Sequence, residues 1–425
     1  MKPKIISQNG KKRTIQFEFE IGSSMLENEK KFQEVLNEVG VLASGEILAQ
    51  FDTDGEPIVF GGTTMTSKGQ VECAYQTPYG EVNVARHVYQ SSKGGKTYCP
   101  LENSARIIGS ATPFFAKQIS SKYADFGALR VAKDLIENHG RQVAKGYVQN
   151  VADIVGSIAL EKEEEWTYKT PAQEVPVSTV SIGIDGTCML TVEDGWRQAM
   201  VGTVALYSAA GERLHTIYVG ATPEYGKDTF LERMQREVDN TRSLFPEAIF
   251  VAVADGAKDN WPFLKRNSDR QCLDFFHATE YLTKAADAAF YKDKLKRNQW
   301  LEDACHRLKH NKSGPTALIN EMELFKNKHI GEERKSALDA AITYFKNQKK
   351  LMKYAEHVEE SLPIGSGVTE AACKVIVKQR LCNSGMRWKE QGAATVLSLR
   401  TLNYSEGRWN QFWQKIDVRG FQLAA

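Results

Sequence analysis

The sequence predicts a mixed α/β protein in two parts: an N-terminal region of strands and helices, then a larger α/β domain beginning near residue 177. Three observations predict it. Residues 175–187 (VPVSTVSIGIDGT) alternate, with Val180, Ile182 and Ile184 on one side and Ser181, Gly183 and Asp185 on the other. That period of two marks a strand with one apolar face. A second run, AIFVAVADGA at 248–257, is apolar throughout in the manner of a central strand and also ends in Asp-Gly. Further on, a glycine-rich turn in SLPIGSGVTEAACK opens a late helix with Glu370 in its first turn.

In chain order, residues 14–22 (TIQFEFEIG) alternate as a strand. The next stretch has helical spacing through Met25, Phe32, Leu36 and Val39. From Thr63 to Pro100 the chain is strand-like and glycine-rich, most clearly in GEVNVARHVYQ at 80–90. A helical block at about 113–160 breaks around Gly140, compatible with a helix-turn-helix and equally with a plain helical hairpin. Residues 1–110 thus form a strand and helix region and 111–165 a helical one. The acidic run Glu161–Glu165, with Pro171 and Pro176, marks 166–176 as a linker and 177–425 as the main domain.

After the boundary, the Asp185 strand is followed by QAMVGTVALYS and ERLHTIYVGA, three successive strands of a meander. KDTFLERMQREVDNTRSLF is an amphipathic helix, with Phe230, Met234, Val238 and Leu244 close to helical spacing. RQCLDFFHATEYL at 270–282 begins as a strand and becomes helical, and about 283–360 reads as helical and highly charged. Strand, meander, helix, central strand and carboxylate-bearing late helix is the order of an RNase-H-like fold. In that order Asp185, Asp255 and Glu370 meet at one end of the sheet. Three carboxylates there repel one another unless divalent metal binds them, and two hard cations suit phosphodiester chemistry. Taken singly, each acid has an ordinary explanation: Asp-Gly is a common turn pair, and acids favour helix N-termini.

Composition sets the class. The chain has 425 residues, 42% apolar and 25% charged, with a net charge of +2, as in soluble globular proteins. Its N-terminus lacks the apolar core of a signal peptide, and no run has membrane-spanning length. Seven cysteines occur singly, which suits a reducing cytoplasm. Charge is local. Lys374 to Arg419 holds nine Lys/Arg against three Asp/Glu, and Lys292 to Lys312 holds seven against three, stretches able to neutralise phosphates. Lys374, Arg380, Arg387 and Trp388 are candidate DNA contacts, Arg387-Trp388 through an unstacked base or flap, with core packing for the tryptophans and a solvated face for the cations as the ordinary alternatives. For Trp409 and Trp413, at helical spacing, packing is the favoured role.

IGIDGT, VAVADGAKDNW, DFFHATEYL, IGSGVTEAACK with QRL, GMRW, and GAATVLSLRTLNYSEGRWNQFW resemble, in order, the motifs of bacterial insertion-sequence transposases of the IS-Kra type. That group is related to the Mutator-like families of the Asp-Asp-Glu superfamily. The resemblance spans about 180–413. It implies an RNase-H-like core with a helical insertion at about 283–360, and Asp185, Asp255 and Glu370 as catalytic ligands of two Mg²⁺ or Mn²⁺ ions. It implies DNA cleavage at element ends and strand transfer into target DNA, with double-stranded DNA as partner and a homo-oligomer on it in the bacterial cytoplasm. Asp274-Phe-Phe-His277 matches the (Cys/Asp)-x-x-His motif of the related groups, a support and DNA-contact element beside the triad. A histidine satisfied in the core is the ordinary alternative for His277, and pairing with Asp274 would fix its tautomer. Relatives carry paired cysteines near residues 63–100. This chain has YQSSKGGKTYCPLE there, with Cys99 and two serines, so a zinc ribbon is not expected. A cellular RNase-H-like nuclease and a domesticated DNA-binding protein are the alternatives.

Overall fold

The computed structural model describes residues 2–328 and 331–421. Residues 329–330 of the expected insertion and 422–425 at the end of the expected main domain lie outside them. The chain divides into two compact units: Met1–Tyr168 with Ala394–Asn403 and the residues from Arg408 on, and Lys169–Ala393 with Tyr404–Gly407.

The first unit opens with a hairpin, β1 (Lys4–Asn9) and β2 (Lys12–Gln16), and helix α1 (Met25–Ala49), capped by the Ser24 side chain. The strand expected over 14–22 stops at Gln16. Phe17 and Phe19 instead pack against Phe32 of α1, with ring centroids 6.4 and 5.0 Å apart, so their alternation is satisfied by a helix rather than a sheet. Strands β3 (Ile58–Phe60), β4 (Thr63–Gln76) and β5 (Glu81–Ser91) form an antiparallel sheet. Cys73 and Cys99 pack against its small core, which includes Tyr75, Val84 and Leu101. Helices α2 (Pro100–Ser104), α3 (Pro113–Asp125), α4 (Ala128–His139) and α5 (Lys145–Lys162) follow. Gly140 ends α4 at φ +62°, a left-handed position that glycine adopts without strain. The next side chain, Arg141, is buried and donates to the Thr77 carbonyl and Gln76 Oε1, tying the interhelical turn to the β-hairpin.

The second unit carries a five-stranded sheet of β6 (Thr179–Thr191), β7 (Gly195–Tyr207), β8 (Arg213–Ala221), β9 (Ile249–Ala254) and β10 (Arg270–Leu273), in the spatial order β10-β9-β6-β7-β8. The first three form the meander; β9 and β10 run parallel to β6. Helices α6 (Asp228–Leu244) and α7 (Trp261–Asn267) flank β9 in sequence. Then come α8 (Phe275–Ala289), α9 (Lys294–His310), α10 (Gly314–Lys326), α11 (Glu332–Gln348), a 3₁₀ turn at Lys349–Leu351 and α12 (Tyr354–Glu359). Helix α13 (Gly367–Ala372) passes through a π-helical segment, Cys373–Lys378, into α14 (Gln379–Leu381). The sheet side chains Ile182, Val204 and Phe250 share one core with Phe230, Leu282 and Phe345 of the helices.

The chain ends in α15 (Glu390–Tyr404) and α16 (Arg408–Arg419). The sequence pattern places both in the 177–425 domain, but most of their length belongs to the first unit. The cause is specific pairing. The buried Arg400 guanidinium donates to the Ala124 carbonyl and to Asp125 Oδ1 at 2.7 Å, and Phe412 packs against Trp166. Trp413 is buried and meets Trp409 edge-on, the packing role expected for that pair. Among the described residues, no helix is long and apolar enough to cross a membrane.

Candidate functional site

Three aspartates follow the parallel pairs of β6, β9 and β10. Ile182 of β6 pairs with Ala252 of β9, and Ala254 of β9 pairs with Leu273 of β10. Three residues past Ile182 and Ala252 stand Asp185 and Asp255; one residue past Ala254 and Leu273 stand Asp255 and Asp274. Asp255 and Asp274 directly follow the carboxyl ends of β9 and β10, where open α/β sheets place their ligands, and Asp185 stands in the middle of β6, just past its parallel pairing with β9.

Their surroundings differ. Asp185 is half-buried; its Oδ1 accepts the Gly186 N–H at 2.7 Å, and the Cys373 thiol donates to Oδ2 at 3.5 Å. Burial and the Asp185 charge push that thiol's pKa up, keeping it a donor. Asp255 is half-buried too, and its Oδ1 accepts the Ala257 N–H at 3.0 Å. Around it the loop is braced by the Trp261 indole N–H on the Asp255 carbonyl and by Asn260 on the Ile184 carbonyl. Asp274 is fully buried and saturated. As the cap of α8 it accepts the Phe276 and His277 backbone N–H groups, and it also takes the N–H of Ser366 at 3.0 Å. The expected pairing of Asp274 with the His277 ring is therefore corrected: the cap geometry directs the carboxylate to backbone donors.

Glu370 reaches this end of the sheet because α13 docks on bare backbone. A Cβ on Gly183 would lie 1.9 Å from Thr369 Oγ1, and the Thr369 hydroxyl hydrogen-bonds Thr203 on β7 at 2.7 Å. The small face of the Asp185 strand is thus a helix seat. Ser366 Oγ donates to Glu370 Oε1 at 2.9 Å. His277 is half-exposed rather than in the core, its Nε2 3.7 Å from Glu370 Oε1 and its Nδ1 3.7 Å from Glu280. Among the described residues, the group of His, Cys, Asp and Glu side chains whose ligand atoms all fall within 4.8 Å of one another is Asp274, His277 and Glu370. Asp185 and Asp255 are not in so tight a group.

The donor chemistry of Asp185, Asp255 and Glu370 nevertheless fits a hard divalent cation better than that of Asp274. Asp255 and Glu370 each keep one carboxylate oxygen outside any hydrogen bond among the described residues, and Asp185 Oδ2 meets a weak thiol donor. Asp274 has both oxygens committed to backbone N–H groups in a dry setting.

The other sequence candidates separate. Lys374 and Arg387 are exposed, free to meet a polyanion. Arg380 is buried, with its guanidinium over the Trp388 ring at 5.1 Å. Trp388 is pinned to β6 by backbone bonds with Leu190 and Val192, and its indole donates to the Leu381 carbonyl. Arg380 is thus enclosed by the fold rather than offered to a polyanion, which corrects its assignment as a DNA contact, while Trp388 is half-buried beside it. Sequence reasoning passed over Ser366, Thr369 and Cys373, which support the acids; their signal was nearness to Glu370, too general to pick them out. Compared with known proteins, the chain matches no family model and no curated protein sequence.

Proposed function

We propose that this chain is a metal-dependent DNA transposase with an RNase-H-like core, using Asp185, Asp255 and Glu370 as its metal ligands. The observation that carries the reading is the register of β6 and β9, in which Ile182 pairs with Ala252, each three residues before a candidate aspartate, together with the seating of the Glu370 helix on Gly183 of the same strand. The sheet order, a three-strand meander followed by two parallel strands on the far side of β6, also supports it. When bound, two Mg²⁺ or Mn²⁺ ions supply Lewis-acid stabilisation of the phosphorane charge and a nucleophile at neutral pH. The chain's own residues hold that site: Gly186 and Cys373 orient Asp185, the Asp255 loop is braced by Trp261, and Ser366 fixes one oxygen of Glu370. Water attack on the phosphorus breaks the bond to the 3′-oxygen, leaving a 5′-phosphate and a 3′-hydroxyl. That hydroxyl then attacks a target phosphodiester and displaces its 3′-oxygen. Double-stranded DNA is the proposed partner, bound by a homo-oligomer.

The test is incubation with supercoiled plasmid carrying the DNA that flanks the gene, with Mg²⁺ or Mn²⁺. Wild type is expected to nick or cut at the ends and to join them to a second plasmid, with EDTA stopping both. Cleavage without joining would favour the cellular nuclease. Cutting by Asp255→Asn at the wild-type rate would overturn the metal-site reading.

A further inference from the structure

Of the seven cations in the basic stretch that sequence alone picks out at 292–312, four are ion-paired within the fold. Lys296 pairs with Asp293, Arg297 with Asp287, Arg307 with Asp303 and Glu321, and Lys312 with Glu359. Elsewhere in the helical insertion Lys326 pairs with Asp339 and Lys346 with Glu323. A different set of cations behaves otherwise. Lys258 and Lys265, from the loop after Asp255 and from α7, face Lys350 of the 3₁₀ turn across a cleft of about 470 Å³. Asn347 and Gln348 line it as well, and among the described residues no acidic side chain does. All three lysines are exposed, and none makes an ion pair with a described residue. Unpaired like charges gathered on one cleft repel one another, a cost that an anion seated among them removes.

The cleft is mechanically continuous with the candidate site. Trp261, in its wall, donates its indole N–H to the Asp255 carbonyl, and Gln348 donates to the Gly256 carbonyl at 3.5 Å. We infer that the Lys258–Lys265–Lys350 cleft is a binding site for backbone phosphates of duplex DNA, holding the strand whose cleavage Asp255 serves. This rests on the proposed function and adds a binding site to it. Lysine suits the task as a point charge on a flexible stem, and the amides of Asn347 and Gln348 add neutral donors to phosphate oxygens.

The experiment is fluorescence anisotropy of a labelled duplex of mixed sequence, titrated with full-length protein over a series of KCl concentrations. Three proteins are compared with wild type: Lys258→Ala/Lys265→Ala/Lys350→Ala, the same three positions changed to Arg, and a charge-matched control, Lys292→Ala/Lys294→Ala/Lys309→Ala. Removing one lysine from a DNA phosphate should flatten the log–log salt slope by about 0.9, so the triple alanine variant of the cleft should flatten it by about 2 to 3. The arginine variant should keep the wild-type slope, and the control should change it by less than about 1. Thermal midpoints within a few degrees of wild type confirm folding. If the triple variant misfolds, the three single Lys→Ala variants answer the question, each expected to flatten the slope by about 0.9. An unchanged slope in the cleft variants, with wild type binding normally, overturns this inference and leaves the proposed function standing. Failure of wild type to bind the duplex at any salt overturns both.

Discussion

The turns that follow β9 and β10 begin alike and end differently. Each places an aspartate directly after a parallel strand, and the two aspartates stand in the same row of the sheet. At Asp274 the chain passes at once into α8, so the first helical N–H groups, and then that of Ser366, close on the carboxylate and bury it. After Asp255 the next helix, α7, begins only at Trp261, and one carboxylate oxygen is left outside any hydrogen bond among the described residues. In this pair the length of the turn decides whether the carboxylate becomes a saturated helix cap or keeps an oxygen free. A residue type at a strand end says nothing of this difference.

Exchanging each aspartate for its amide or for alanine should break the symmetry of the pair. Asp255→Asn should reduce metal-dependent cleavage to background while leaving the denaturation midpoint unchanged within error, as read by plasmid cleavage beside urea unfolding. Asp274→Ala strands three backbone donors and should cost about 2–4 kcal/mol. Asp255→Ala should cost under about 1 kcal/mol. Equal destabilisation by the two alanine variants would refute the contrast between cap and ligand.

The seat of Glu370 gives the next largest effect. Gly183→Val drives a side chain into Thr369 and should cost about 1–3 kcal/mol and most of the cleavage activity. Adding Thr369→Ala should recover part of both, and a double-mutant cycle with no coupling would show that α13 does not rest there. Ser366→Ala should leave stability within about 1 kcal/mol and lower the cleavage rate a few-fold, measured at saturating Mn²⁺. If the rate holds, the hydroxyl does not position Glu370.

The smallest effect is one of pH. His357 is buried, its Nδ1 bonds the Pro363 carbonyl in the stretch leading to Ser366, and burial lowers its pKa from the ordinary 6.5. Below about pH 6.5 the unfolded chain takes up a proton that the folded one refuses, so stability falls as pH falls, by at most about 1.4 kcal/mol per unit. Thermal midpoints at pH 7.5 and 5.5 should differ less in His357→Asn than in wild type, and identical differences would sink the assignment.

Local pattern carried much of this protein. The alternation of 179–187, the apolar run of 249–254 and the helical spacing of 228–244 each mark an element of the structure, because which side chains face the core is written at periods of two and 3.6. Asp185 and Asp255 stand out by the same means, as polar ends to apolar runs, and Glu370 as an acid in the first turn of a helix after a glycine-rich turn. Only the tertiary structure decided what surrounds them. Gly183 looks like any small strand residue until Thr369 arrives from 186 positions along the chain, and Arg380 looks like a DNA contact until Trp388 covers it. Four cations of the basic stretch at 292–312 are held in ion pairs, among them with Asp287, Glu321 and Glu359, while Lys258, Lys265 and Lys350, inconspicuous in the sequence, meet in one cleft. Charge and hydrogen-bond saturation are properties of neighbours, and neighbours distant in sequence are set by chain closure rather than by local periodicity.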